Sequence, residues 1–264
     1  EGIVLVSNKY CTIFKLFFMM PVEVKNMEKQ IKDLYQKFRE ENVEMIDRWL
    51  YFAYKEIPSK VELSMKDRCL SILAVLLGSQ GQEEFERIVK YALDQGVEAE
   101  AIQEVVYQAT AYLGMGRVAP FYSIVDRVFL DRNVQVRQDR QTTNLQDCLE
   151  KGNALQVRYF GEGLKETWKN GGERENVNYW LAANCFGDYY TRKGLNDQER
   201  EMVTFCYVYA QGGCENQLRG HTRGNLNVGN SKEKLLAILS TCIPWIGYPR
   251  TLNAWAIVDE VTKE

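Results

Sequence analysis

Residues 195–261 read LNDQEREMVTFCYVYAQGGCENQLRGHTRGNLNVGNSKEKLLAILSTCIPWIGYPRTLNAWAIVDEV, and this stretch decides the fold. Its apolar residues have the spacing of amphipathic helices, and glycines separate the apolar runs. We predict four helices, over 197–210, 214–228, 231–243 and from 249 to the C-terminus. Asn230 or Ser231 suits the N-cap of the third helix. Pro244 is expected to end that helix, and Pro249 to lie in the first turn of the fourth.

An earlier stretch, from Ser64 to Leu130, repeats this pattern. A shift of 133 positions gives eight identities between residues 93–128 and the later stretch, where chance predicts roughly two. The identities pair Leu93 with Leu226, Gly96 with Gly229, Gly114 with Gly247, Arg117 with Arg250, Ile124-Val125-Asp126 with Ile257-Val258-Asp259, and Val128 with Val261. Upstream the shift becomes 132, which places one extra residue in the corner at 211–213. We infer an internal duplication.

Composition predicts a soluble, all-α chain, and the duplication indicates two tandem helical domains. Lys and Arg number 33, and Asp and Glu number 36. The chain therefore has no excess of positive charge that would attract nucleic acid. Five prolines among many helix-forming residues favour helix over sheet. We predict a first, degenerate domain over 27–131, a polar linker over 132–143, and a second domain over 144–264 that carries the site.

The N-terminal residues 1–26 are predicted to lie outside the fold. Their apolar run from Thr12 to Met20 is interrupted by Lys15 and is too short to span a bilayer, so we expect no membrane association. The run is followed by no small-residue cleavage site, which favours a cloning remnant or a mistaken upstream start over a signal peptide.

The seven cysteines are scattered and include no C-x-x-C pair, which predicts free thiols in a reducing cytoplasm. Cys206 and Cys242 lie in apolar runs and are interpreted as core residues. Structural roles are also predicted for Cys69, Cys148 and Cys185.

His221 is the only histidine, which excludes a multi-histidine metal centre, and we expect no metal or cofactor. Cys214, Gln217 and His221 are spaced i, i+3 and i+7, so they share one helix face. Cys214 follows two glycines at the helix start, where backbone N–H groups favour a thiolate. The turn would fold Glu199 and Glu201 of the preceding helix toward the imidazole. A helix-capping role for these glutamates is the alternative.

The first copy lacks this chemistry. The positions that match Cys214, Gln217 and His221 are Gly81, Glu84 and Ile88. Any catalysis is therefore expected in the second copy, with the first copy acting in packing or in closing the pocket.

The later stretch resembles a carboxymuconolactone decarboxylase domain, and the first copy resembles it more weakly. The matching motifs are Glu199–Glu201, Gly213–His221, Leu226–Gly229, Gly247–Arg250 and Asn253-Ala254. The resemblance implies about six helices per domain and assembly into homo-oligomers. For a tandem chain it implies a trimer that forms a three-fold ring.

The resemblance also implies one of two activities. One branch of the family decarboxylates a lactone without a cofactor. The other, which resembles alkyl hydroperoxidase D, is a thiol peroxidase with a C-x-x-C pair, a glutamate and a histidine. Here Cys214 matches the first cysteine, Gln217 replaces the second, and Glu201 matches the glutamate. The missing resolving thiol counts against disulfide cycling.

Three hypotheses follow, each with a small molecule as the expected partner. In the first, a cofactor-free lyase, His221 oriented by Glu201 protonates the dienolate left by CO2, while Gln217 and Arg219 or Arg223 hold a substrate carboxylate. Both arginines also suit a solvated surface or a subunit contact. The second is a peroxiredoxin-like enzyme that uses Cys214, resolved by a more distant cysteine. The third is a non-catalytic oligomeric binding protein.

Overall fold

The computed structural model describes residues 29–263, which contain helices and no strand. The prediction of an all-α fold is confirmed. The chain divides into two compact units between Tyr51 and Phe52. The predicted extension, residues 1–26, lies outside the described residues. None of the helices in the described part has the length and apolar character needed to cross a membrane.

The N-terminal unit contains three helical segments in its described part. They span 29–34, Gln36–Glu41 and Val43–Tyr51. The ring of Tyr35 packs against Trp49, with 5.1 Å between centroids. Arg39 Nε lies 2.6 Å from Asp47 Oδ1. An aromatic contact and an ion pair therefore hold these helices to one another.

The second unit begins with the π-helix Phe52–Glu56 and the short helix Ile57–Lys60, followed by the four helices of the first repeat. These are α1 (Met65–Ser79), α2 (Gln82–Asp94), α3 (Ala99–Leu113) and α4 (Met115–Asp131). Ser64 caps α1 by accepting a hydrogen bond from the backbone N–H of Asp67 (3.0 Å).

The segment 132–143 forms no helix and is anchored by side chains. Arg140 is buried, and Thr142 Oγ1 donates to the carbonyl oxygen of Thr191 (2.7 Å). After it come α5 (Cys148–Phe160), the short helices Leu164–Lys169, Gly172–Arg174 and Glu175–Trp180, and the π-helix Leu181–Tyr190. Gly152 of α5 and Gly187 of the π-helix each lie against the other element's backbone with no room for a Cβ atom. The close approach of α5 to the π-helix therefore requires glycine at both positions.

The second repeat contains the four predicted helices. They are α6 (Asp197–Gln211), α7 (Glu215–Asn227), α8 (Lys232–Ile246) and α9 (Tyr248–Val261). Ser231 is the N-cap of α8, and Pro249 lies in the first turn of α9, as predicted. The prediction that Pro244 ends α8 is wrong, because the helix continues to Ile246. A proline in the last turn removes one N–H, and the chain leaves the helix only at Gly247, whose φ of 80° favours glycine.

The two repeats pack against each other through reciprocal contacts. Gly78 of α1 has no space for a Cβ atom because it lies against α6. Arg200 of α6 donates through Nη1 to Oε1 of Gln108 (2.6 Å). At the matching positions, Arg68 of α1 lies 3.5 Å from Thr241 Oγ1. Equivalent arginines thus reach equivalent positions of the opposite repeat.

Candidate active site

The structure brings the only imidazole of the chain against a buried carboxylate. Glu201 on α6 is fully buried, and His221 on α7 is 8% exposed. Nδ1 of His221 lies 3.0 Å from Oε2 of Glu201. The connecting turn has left-handed backbone at Gly212 (φ 73°) and Gly213 (φ 69°), which favours glycine and lets α7 fold back on α6. Nδ1 therefore faces the carboxylate, and Nε2 is the ring nitrogen on the other side of the imidazole.

A directed set of hydrogen bonds holds the other oxygen of Glu201. Gln108 donates through Nε2 to Thr204 Oγ1 (2.8 Å). The Thr204 hydroxyl donates to Tyr190 Oη (2.6 Å), because the proton of Tyr190 is used on Glu201. Tyr190 Oη in turn donates to Glu201 Oε1 (3.0 Å). Since the one proton of Tyr190 is then in use, the neighbouring Tyr112 hydroxyl donates to Tyr190 (2.7 Å). Every bond of the set points toward the carboxylate.

The two phenols of this set remain protonated. Burial, and secondly the charge of Glu201, raise the pKa of Tyr190 well above its ordinary value. Burial is also the largest cause of the raised pKa of Tyr112, followed by Cys185 and Glu201. Both hydroxyls can therefore serve as donors at neutral pH.

Aromatic rings and a glycine enclose the pair. The rings of Phe160 and Tyr112 stand edge-on to His221, with centroids 5.5 and 5.4 Å away. Gly224, one turn after His221, has no Cβ atom, and an added one would lie 2.5 Å from Glu201 Oε2. Only glycine at position 224 leaves room for the Glu201 carboxylate.

Two asparagine side chains hold together the backbones of α6 and α7, the helices that carry the pair. Asn225 Nδ2 donates to the carbonyl oxygens of Glu201 (2.9 Å) and His221 (2.7 Å), so it joins α6 to α7. Asn230 Nδ2 donates to Asn225 Oδ1 (2.8 Å). The imidazole and carboxylate are thus held by their backbones as well as by their side chains.

Cys214 lies apart from the enclosed pair, at the N-cap of α7. It is half-buried, whereas the other five cysteines of the described part are buried. It lines a small pocket of about 30 Å³ together with Arg250, Asn253 and Tyr209. The thiol can therefore meet solvent at this pocket.

The remaining candidates on α6 and α7 have mixed placements. Gln217 is exposed and Arg223 half-buried. Arg219 donates to the Glu260 carboxylate on the surface, through Nε at 2.8 Å and Nη2 at 3.1 Å. Glu199 forms a capping box with Asn196, as the capping alternative predicted.

Burial agrees with the structural roles predicted for the other cysteines. Cys206 and Cys242 are fully buried, and Cys148 is also buried. Burial raises the pKa of Cys69 and of Cys185 to about 12. Cys11 lies outside the described residues.

Sequence reasoning missed the part of the site that comes from outside α6 and α7. Gln108 and Tyr112 lie one turn apart on α3, so the first repeat supplies one face of the second repeat's site. Two features of the sequence could have indicated these residues. One is the duplication, which predicts that matching helices of the two repeats pack together. The other is the aromatic run that contains Tyr190. In the first repeat the matching positions of Glu201 and His221 are Cys69 and the buried Ile88, so no acid–base pair exists there.

Fold and site together define a class of protein: an all-α chain of two tandem helical repeats with a buried carboxylate–imidazole pair in the second. The chain belongs to the carboxymuconolactone decarboxylase family, whose sequence model matches residues 44–126 and 176–260, more than half of its length. It is similar to a 4-carboxymuconolactone decarboxylase of Acinetobacter baylyi, with 32% identity over 85 residues. The aligned region covers 32% of this chain and 63% of that relative, which is less than two thirds of the relative's length.

Proposed function

We propose that the chain is a cofactor-free carboxy-lyase that decarboxylates a carboxylated lactone or a related small carboxylate. The observation that carries this proposal is the buried Glu201–His221 pair, with 3.0 Å between Oε2 and Nδ1. A positioned imidazole suits proton transfer to carbon, and an enclosing wall of aromatic rings slows exchange with bulk water. Family membership and the decarboxylase relative support the same reaction class.

In the proposed reaction, the bond from the substrate to its carboxylate carbon breaks and CO2 leaves. The electron pair stays on the substrate as a dienolate, which takes a proton from Nε2 of the His221 imidazolium. The Glu201 carboxylate stabilises that imidazolium and fixes the ring through Nδ1. His221 regains its proton from water before the next turnover, so the reaction needs no oxidant or reductant.

We propose that residues of α7 hold a second carboxylate of the substrate. The candidates are Gln217, Arg219 and Arg223. Arg219 already binds Glu260, so its use would require exchange of that ion pair. Arg223 is less exposed than Gln217 and lies on the same helix as His221. Replacement of the residue that holds the carboxylate should raise KM more than it lowers kcat.

The test is turnover of 4-carboxymuconolactone, generated in situ and followed by ultraviolet absorbance. Wild type, His221→Ala and Cys214→Ser are compared, with circular dichroism to check folding. The lyase proposal predicts turnover that is lost in His221→Ala and kept in Cys214→Ser. Equal turnover in wild type and His221→Ala would contradict it.

A second candidate function, thiol peroxidase chemistry, is favoured by the half-buried Cys214 at the start of α7. There the thiolate would attack the peroxide O–O bond, become a sulfenic acid and release an alcohol, and a dithiol would restore it. In the hydroperoxide assay with a dithiol reductant, this function predicts activity that Cys214→Ser abolishes.

We also propose that the chain assembles into homo-oligomers, with a trimer of tandem chains as the expected form. Four exposed hydrophobic side chains between 177 and 181 support this proposal: Val177 and Trp180 are each 58% exposed, Tyr179 49% and Leu181 46%. Clusters of exposed apolar side chains are typical of surfaces at which proteins associate.

A further inference from the structure

Another concave site lies where the first repeat meets the π-helix Leu181–Tyr190. Its cavity of about 300 Å³ is within the range of small-molecule sites. Its lining comes from α3 and α4 of the first repeat, from the segment 132–143, and from the π-helix Leu181–Tyr190 with the turn after it: Tyr107, Tyr122, Gln141, Asn184, Asp188, Tyr189 and Arg192. Neither His221 nor Glu201 belongs to this lining, so the cavity is separate from the candidate active site.

Beneath the cavity, positive charge exceeds negative charge. Three guanidinium groups share the fully buried carboxylate of Glu104. Arg140 Nε lies 3.0 Å from Glu104 Oε1, Arg192 Nε lies 3.0 and 3.1 Å from its two oxygens, and Arg200 Nη2 lies 3.3 Å from Oε2. Nη1 of Arg140 and Nε of Arg200 are buried and have no hydrogen-bond partner among the described residues. Excess buried charge of this kind is costly unless a counter-charge approaches it.

Arg192 connects this cluster to the cavity. Its guanidinium stacks over the ring of Tyr107, 4.9 Å from the centroid. Its Nη1 atom donates to Oε1 of Gln141 (2.7 Å), an exposed side chain on the cavity wall. An incoming carboxylate can replace that neutral oxygen and form a stronger, charge-assisted hydrogen bond.

The other lining residues favour an aromatic ring and a hydroxyl group on the ligand. Tyr107 and Tyr122 stack with 5.4 Å between centroids and present aromatic surface. Burial raises the pKa of Tyr107, Tyr122 and Tyr189, so their hydroxyls stay neutral. Asp188 places one negative charge on the wall, which disfavours a dianion and suits a ligand hydroxyl.

We propose that this cavity binds a small aromatic monocarboxylate that carries a hydroxyl group. The carboxylate binds Arg192, the ring packs against the tyrosines, and the hydroxyl donates to Asp188. This site does not depend on the proposed lyase function, because it uses neither Glu201 nor His221.

The test is isothermal titration calorimetry of the full, tag-free chain with 4-hydroxybenzoate as the probe. We expect one molecule bound per chain, and at least tenfold weaker binding of neutral 4-hydroxybenzamide. Arg192→Met should weaken 4-hydroxybenzoate at least tenfold. Arg192 also binds Glu104, so its replacement could disturb the fold as well as the cavity. Asn184→Trp is therefore a second variant. It places a large side chain in the cavity from an exposed position on the wall, and it should abolish binding.

Two control variants locate the binding. Arg219→Met removes a surface guanidinium elsewhere, and His221→Ala alters the candidate active site, so both should bind the probe as wild type does. The proposal is overturned if wild type binds no 4-hydroxybenzoate at millimolar concentration. It is also overturned if Asn184→Trp binds as wild type, or if His221→Ala loses binding.

Discussion

Gly224→Ala tests whether the Glu201–His221 geometry depends on the missing side chain at position 224. The added Cβ atom would lie 2.5 Å from Glu201 Oε2 and 2.7 Å from Phe160 Cε1. Because contacts under 3.0 Å are essentially never seen for real Cβ atoms, the carboxylate must move by at least half an ångström. Overpacking of this kind costs about 1–3 kcal/mol. The gain in helix propensity is smaller, about 0.5–1 kcal/mol, so a net loss of stability is expected.

Gly220→Ala is the matched control, because Gly220 lies on the same helix with no atom within 4 Å of its added Cβ. It should stabilise the chain by about 0.5–1 kcal/mol. Urea unfolding measures both changes. Since the chain has one histidine, the Cε1–H signal of His221 can be assigned in NMR without ambiguity and also reports the Glu201 contact. Equal stability of the two variants, with an unshifted His221 signal in Gly224→Ala, would refute the packing argument.

Three further predictions concern the hydroxyl network, alkaline pH and assembly. Tyr190→Phe removes a donor to Glu201 and should lower kcat about 10-fold or more, whereas Tyr112→Phe, one bond further away, should lower it less. Because burial raises the pKa of Cys69 and Cys185 from 9.0 to about 12, the free energy of unfolding should be steady below pH about 9 and fall above it. Each thiol contributes about 1.4 kcal/mol per pH unit, and Cys69→Ala should reduce that slope in urea titrations. In sedimentation velocity, Trp180→Glu should give a smaller species than wild type, and a monomeric wild type would contradict the assembly proposal.

The fold was largely predictable from the second repeat because its helix signals are local. Ser231 caps α8 and Pro249 begins α9 for reasons that involve only their own turns. The end of α8 was misplaced because a proline weakens a helix by removing one N–H without forcing the chain to leave it, and α4 likewise continues past Pro120. Gly247, three residues after Pro244, supplies the left-handed backbone that ends α8.

The site was predictable only where its residues share α6 and α7. The two-glycine turn indicated that Glu201 and His221 could meet, because it folds the two helices against each other. The hydroxyl set could not be found in this way, because Gln108 lies 96 residues from Thr204, to which it donates. Gln217 was predicted to share the face of His221, yet it is exposed, since a face defined by spacing is wider than the buried stripe.

The most direct test of the central claim is kcat for 4-carboxymuconolactone in Glu201→Gln, a variant of the same shape without the negative charge. If the Glu201–His221 pair performs the proton transfer, kcat should fall about 100-fold or more, with KM little changed and the helical circular dichroism signal intact. A Glu201→Gln protein with wild-type kcat would contradict the account.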